Sequence, residues 1–140
     1  MFRISMTLLL LAFYMIGCSR SSSILTEVTE HRVSHEVMAF IDIFRNTNGI
    51  YLFSRVGEQQ YIIVNQRNVL QVQQASYIES IQSEIQGTTL RIHMEERYTD
   101  NYDDTRIGKL RIYRISRAQD FEQIRFWKNN IETPFNLVGG

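Results

Sequence analysis

The chain has 140 residues, with 15 Lys+Arg against 15 Asp+Glu and a single cysteine. Zero formal charge argues against nucleic acid as a partner, which would need a clearly basic face, and against holding a membrane by charge alone. One cysteine leaves no disulfide framework or thiolate metal cluster, so the fold must be held by core packing, and the length allows one domain.

Arg3 places a positive charge near the start. Leu8 to Ile16 then run without a charge. A basic start followed by about 7–15 apolar residues is the pattern of a secretory signal, and it is shorter than the roughly 20 residues a bilayer-spanning helix needs. The run ends at Met15-Ile16-Gly17-Cys18, followed by Ser19 and a serine cluster to Ser23. This stretch resembles the lipobox of bacterial lipoproteins, with Met15 where that family usually has Leu. The resemblance covers only the opening of the chain. It implies cleavage between Gly17 and Cys18 and a diacylglycerol anchor on Cys18. It also implies a place on the extracytoplasmic side of the cell membrane, or on the outer membrane of a two-membrane cell, because Ser19 and not Asp follows the cysteine. Two acyl chains hold a protein stably where one is marginal. The serines suit a flexible spacer. The expected division is therefore a leader over 1–17, a lipidated tether and linker over 18–33, and one β-rich domain over 34–140.

Residues 24–33 show no clear period and read as more linker or as an edge strand. In "SHEVMAFIDIFRNTNG", Val37, Phe40, Ile41 and Phe44 share one helical face. Ser34 suits the N-cap and Asn48-Gly49 the stop. From Gly49 onward the pattern is strands. "IYLFSR" and "QYIIVN" flank a turn at Val56-Gly57-Glu58. "VLQVQQ" alternates Leu70 and Val72 with glutamines. "SIQSEI" and "TLRIHMEERY" alternate on either side of Gly87, with Leu90, Ile92 and Met94 opposite Arg91, His93 and Glu95. "KLRIYRIS" changes phase, which suggests a bulge or a strand covered on both faces. Asn129-Asn130 is a turn candidate, and Pro134 confines "FNLV" to an edge or to a strand beginning after it. The expected fold is mainly β, a small antiparallel sandwich or barrel with one short N-terminal helix.

Candidate chemistry is sparse. His31 and His35 have the i, i+4 spacing that can hold zinc from one helix face. The helix is expected to begin only at Ser34, however, so both read as solvated. Asp100, Asn101, Asp103 and Asp104 offer oxygen ligands, but the calcium-loop spacing and its glycine are missing. His93 sits between Arg91 and Glu95, with no G-x-S-x-G elbow in the chain. No catalytic residue, metal ligand or cofactor is assigned. The remaining candidates are aromatic: Trp127, Tyr98, Tyr102 and Tyr113 as a ligand or partner surface, since Trp, Tyr and Arg dominate interfaces. Phe126 and Trp127 are neighbours, so in a strand they face opposite ways. The expected function is a membrane-anchored lipoprotein whose non-catalytic domain binds an envelope protein. A module for a cell-wall glycan is the first alternative and an envelope hydrolase the second.

Overall fold

A computed structural model describes residues 23–116 and 120–140. The expected leader, with Gly17 and Cys18, lies outside the described residues. The protein is a sandwich of two mixed sheets with one α-helix laid across it. Its strands are β1 (Leu25–Val28), β2 (Gly49–Phe53), β3 (Tyr61–Asn65), β4 (Ala75–Gln86), β5 (Thr89–Thr99), β6 (Leu110–Ile115), β7 (Gln123–Lys128), β8 (Ile131–Glu132) and β9 (Leu137–Gly139); α1 spans His35–Ile43. The first sheet runs β1-β6-β3-β2-β9 and the second β4-β5-β7-β8.

Helix α1 forms where the apolar spacing placed it. Ser34 caps it, its hydroxyl accepting the Val37 N–H. Val37, Phe40, Ile41 and Phe44 pack on Tyr51, Phe53, Tyr61, Ile63 and Ile112 of the first sheet. The opposite parity of those strands, Ile50, Leu52, Ile62, Val64, Tyr113 and Ile115, meets Ile78, Leu90, Ile92, Met94 and Phe126 of the second. The first sheet is therefore buried on both faces. This explains the unbroken apolar run Tyr61–Val64 and the phase change in β6, which is a strand covered on both sides. The second sheet buries one face only, hence the clean alternation of β5.

Of the two readings for residues 24–33, linker or edge strand, Leu25–Val28 takes the second: β1 is an edge strand paired antiparallel with β6. Each sheet also holds one parallel pair, β2 with β9 and β5 with β7, where an antiparallel arrangement was expected. Parallel neighbours need a crossover, and the chain supplies it by visiting the other sheet: β6 intervenes between β5 and β7. The C-terminal segment becomes a strand only after Pro134, at an edge, as the proline requires. Gly139 is needed there, because a Cβ would lie 2.5 Å from the Phe40 ring. "VLQVQQ" is a turn, not a strand, with Leu70 60% and Val72 91% exposed. Its alternation had no sheet to face; instead the Tyr102 hydroxyl shares its one proton between the carbonyls of Gln71 and Gln73, at 2.8 and 2.7 Å.

Two polar ties fix the layers. Asn65, fully buried at the end of β3, points its amide at the Phe44, Arg45 and Thr47 carbonyls, 3.0–3.2 Å away. Its side-chain oxygen accepts the Arg67 N–H at 3.1 Å. Asp104 holds Arg106 through both carboxylate oxygens, at 3.0 and 2.8 Å. Arg106 in turn lies 3.8 Å over the Tyr77 ring and 3.6 Å from Glu79, covering the first half of β4.

Asn65→Ala removes a buried amide that reaches three carbonyls, each of which keeps one other donor, from the Thr47 N–H, the Asn68 side chain or the Tyr51 hydroxyl. The several bonds lost are expected to cost about 1–3 kcal/mol, read by urea denaturation, with an unchanged value ruling the tie out. Arg106 holds the Asp104 carboxyl down to about 2. On acidification the unfolded chain takes the proton first. The pair's contribution is therefore complete above the ordinary carboxyl range and lost as the pH falls through about 2. A titration of the Asp104 carboxyl by NMR should find its midpoint there, and should find it raised in Arg106→Ala, which loses the guanidinium but keeps the backbone N–H bond to the same carboxylate.

Candidate functional site

The outer face of the second sheet bears side chains that no other described element covers. The pleat of β5 sends Arg91 and His93 outward while Leu90 and Ile92 go to the core. In β7 the same alternation sends Arg125 and Trp127 out and Phe126 in, and Phe126 is 1% exposed. Register sets His93 directly opposite Trp127, and Trp127 opposite Glu132.

These side chains form a ladder across the strands. The His93 ring stacks on Trp127 at 5.1 Å, 18° from parallel. The Arg91 guanidinium lies 4.4 Å over the same indole, and Arg125 lies 5.5 Å from it. Such cation–π contacts at exposed sites are worth about 0.5–1 kcal/mol. Carboxylates close both ends. Glu84 on β4 stands 3.5 Å from Arg91 and 3.3 Å from His93 Nε2. Glu132 accepts two bonds of 2.7 Å from Arg125. Bidentate pairing fixes the plane of the Arg125 guanidinium as well as its place. Beside the ladder, Ser80, Gln82, His93, Glu95, Arg97 and Asn129 bound an open depression of about 620 Å³. The Asn129-Asn130 turn at its rim has positive φ at both residues, 49° and 65°, the geometry of a tight hairpin with left-handed central residues. Asn129 also accepts the Glu96 N–H at 2.8 Å.

The four aromatic residues singled out from the sequence do not meet. Trp127 is on the outer face. Tyr98 has the inward parity of β5 and lies beyond the core at the strand's end, 54% exposed. The neighbouring Glu96 carboxylate, together with burial, raises its phenol above the usual value. Tyr102 is committed to the Gln71 and Gln73 carbonyls. Tyr113 is 3% exposed between the sheets, where burial raises its pKa, so it cannot contribute to a surface. In their place stand Arg91 and Arg125, which the sequence reading did not propose for a surface, and His93, which it weighed only as a catalytic base. The signal was present for Arg91 and His93 in the polar parity of β5. Their meeting with Trp127 depends on the parallel β5–β7 register, which no local pattern encodes.

The other candidates fall elsewhere. His31 lies in a 3-10 turn and His35 opens α1. Among the described residues no three His, Cys, Asp or Glu gather as a metal site would require. Asp104 is engaged by Arg106. A crevice of about 330 Å³ between the sheets is lined by Asn65, Gln66, Ser76, Glu96, Lys128 and Asn136. Its polar groups pair among themselves: Gln66 donates to Ser76 at 3.1 Å, Lys128 stands 3.9 Å from Glu96, and Asn136 accepts the Ile50 N–H at 2.8 Å. The crevice is a seam joining the two sheets.

The neighbouring aromatics Phe126 and Trp127 give a direct test of which face is which. Phe126→Ala is expected to cost about 3–5 kcal/mol by opening the core. Trp127→Ala forfeits surface contacts and is expected to cost about 1 kcal/mol. Equal losses in urea denaturation would place both rings in the core.

Comparison with known protein families, with curated proteins and with solved structures gave no match.

Proposed function

We propose that the protein is a lipoprotein anchored through Cys18 on the extracytoplasmic side of a bacterial membrane, where its domain presents the outer face of the second sheet to another envelope protein. The observation that carries the partner reading is Trp127 flanked by Arg91 and Arg125 on an uncovered sheet. Trp and Arg are the residues that most often dominate protein interfaces, where a central aromatic anchor is shielded by surrounding contacts. The Glu84 and Glu132 partners hold the arginines in place, so little side-chain entropy remains to be lost on docking. The anchor reading is supported by Met15-Ile16-Gly17-Cys18 and the serines after it.

A wall-glycan module is the competing reading, since an indole can stack on a sugar. Arg91 and His93 already lie against the Trp127 ring, and a sugar stacking on that face would have to displace them. A protein surface needs only to enclose the cluster, so the geometry favours a protein partner.

Two experiments separate the parts. Metabolic labelling with a clickable palmitate analogue should mark the native protein and leave Cys18→Ser unlabelled. Release of an unlabelled native protein into the medium would remove the anchor. A photoreactive amino acid at Gln123, on the outer face, should give a protein adduct of fixed mass in intact cells that disappears with Trp127→Ala. The same probe at Asp42 on α1 should give none. Quenching of Trp127 fluorescence by wall fragments, without a protein adduct, would transfer the assignment to a glycan.

A further inference from the structure

Among the described residues the second sheet has a long edge without a further partner strand. β4 is 12 residues long and lies at the end of the strand order. A register shift between Ile78 and Ser80 divides it. The half before the shift is largely buried, with Ala75, Tyr77 and Ile78 enclosed and Arg106 over Tyr77. The half after it, Ser80–Gln86, is open. Among the described residues its backbone pairs with β5 alone. Long edges are templates for further pairing, and proteins ordinarily blunt them with lysine, proline or a covering segment. Ser80–Gln86 contains neither lysine nor proline.

We infer that the protein forms a two-fold symmetric dimer by antiparallel pairing of β4 with β4 of a second copy, centred on Ser83. The open stretch itself selects this occupant and register. Opposed residues in an antiparallel pair share a face, so a two-fold axis at Ser83 keeps the core face of one copy continuous with that of the other. Ile81 then meets the partner's Ile85, and Ile85 the partner's Ile81, on the core side. Both are incompletely covered in the single chain, Ile85 being 37% exposed. On the outer side Gln82 meets the partner's Glu84 and Ser80 meets the partner's Gln86. Every pair is apolar with apolar or donor with acceptor. Glu84 is not set against its own copy, so the one acidic residue in the stretch meets an amide instead of a like charge. An isologous contact of this kind closes at two copies and joins two outer faces into one continuous surface. The inference is independent of the anchor and of any envelope partner.

Ser83 is the residue that sits on the axis. Directly opposed Cα atoms in an antiparallel pair are about 4.5–5.5 Å apart, inside the range a disulfide spans. In the full-length chain with Cys18→Ser, held in detergent micelles, Ser83→Cys should oxidise to a covalent dimer. Ser80→Cys, which is off the axis, should not. Gln82 is exposed, so charges there spare the fold, as circular dichroism can verify. Gln82→Lys places a cation opposite each copy's Glu84 and should lower the dimer dissociation constant in sedimentation equilibrium. Gln82→Glu sets like charges together and should raise it, each by about two- to thirtyfold, because the pair occurs twice. A monomer at all concentrations overturns the dimer. So does cross-linking at position 80 as readily as at 83. Two Gln82 variants that shift the constant in the same direction, or not at all, overturn the register.

Discussion

Asn65 makes the tie on which the arrangement of layers depends. A helix ends with carbonyls that have no partner within it, and α1 ends directly above the middle strands of the first sheet. The Phe44 carbonyl finds a donor within the turn itself, the Thr47 N–H, and the carbonyls after it need side chains. Asn65 answers the need from below: one buried amide reaches the Phe44, Arg45 and Thr47 carbonyls and thereby sets where the helix stops over β3. With the end fixed, Phe44 stacks flat on Tyr51 at 3.5 Å and 6°. The Tyr51 hydroxyl then donates to the Thr47 carbonyl at 2.8 Å. The apolar face of the helix has only one way to settle on a surface whose polar anchor lies beneath it.

The helix, in turn, makes the two sheets unequal. The first sheet has both faces filled and no surface to offer except its edges. The second has one face in the core and one in solvent, and its solvent face gathers Arg91, His93, Arg125 and Trp127. Opposed carboxylates neutralise the arginines, which lets cations crowd one indole at little electrostatic cost. The surface is pre-shaped yet nearly neutral. It suits recognition by fit and stacking more than capture by long-range charge.

Much of the fold was legible because its units are local. The helix, its cap, the turns at Gly57 and Gly87, the asparagine turn and the strand after Pro134 each follow from spacing or from backbone preference within a few residues. Three features were not local. Leu70 and Val72 alternate as a strand would, but alternation has meaning only if a partner strand exists, and none does. The parallel pairs join segments separated by a visit to the other sheet. Tyr113 looked available because an aromatic residue in a strand is equally suited to core or surface, and only the neighbouring sheet decides. The candidate site shares this limit. Trp127 could be singled out as the lone tryptophan, and Arg125 shares its strand, whereas Arg91 and His93 arrive from another strand by register. The opening segment is a separate matter, since it lies outside the described residues.

The alternating visits of the chain to the two sheets also bear on how the molecule is assembled. β5 and β7 become neighbours in one sheet only after β6 has been laid into the other, and β9 returns to close the first sheet beside β2. Most of the pairings that define the sandwich therefore close long loops, and the entropy of closing them is spent before their contacts are gained. Neither sheet is complete in any initial portion of the chain. Each gains its last strand only near the end of the chain. The β2–β3 and β4–β5 hairpins and α1 can close locally, whereas the pairings that join them wait for distant strands.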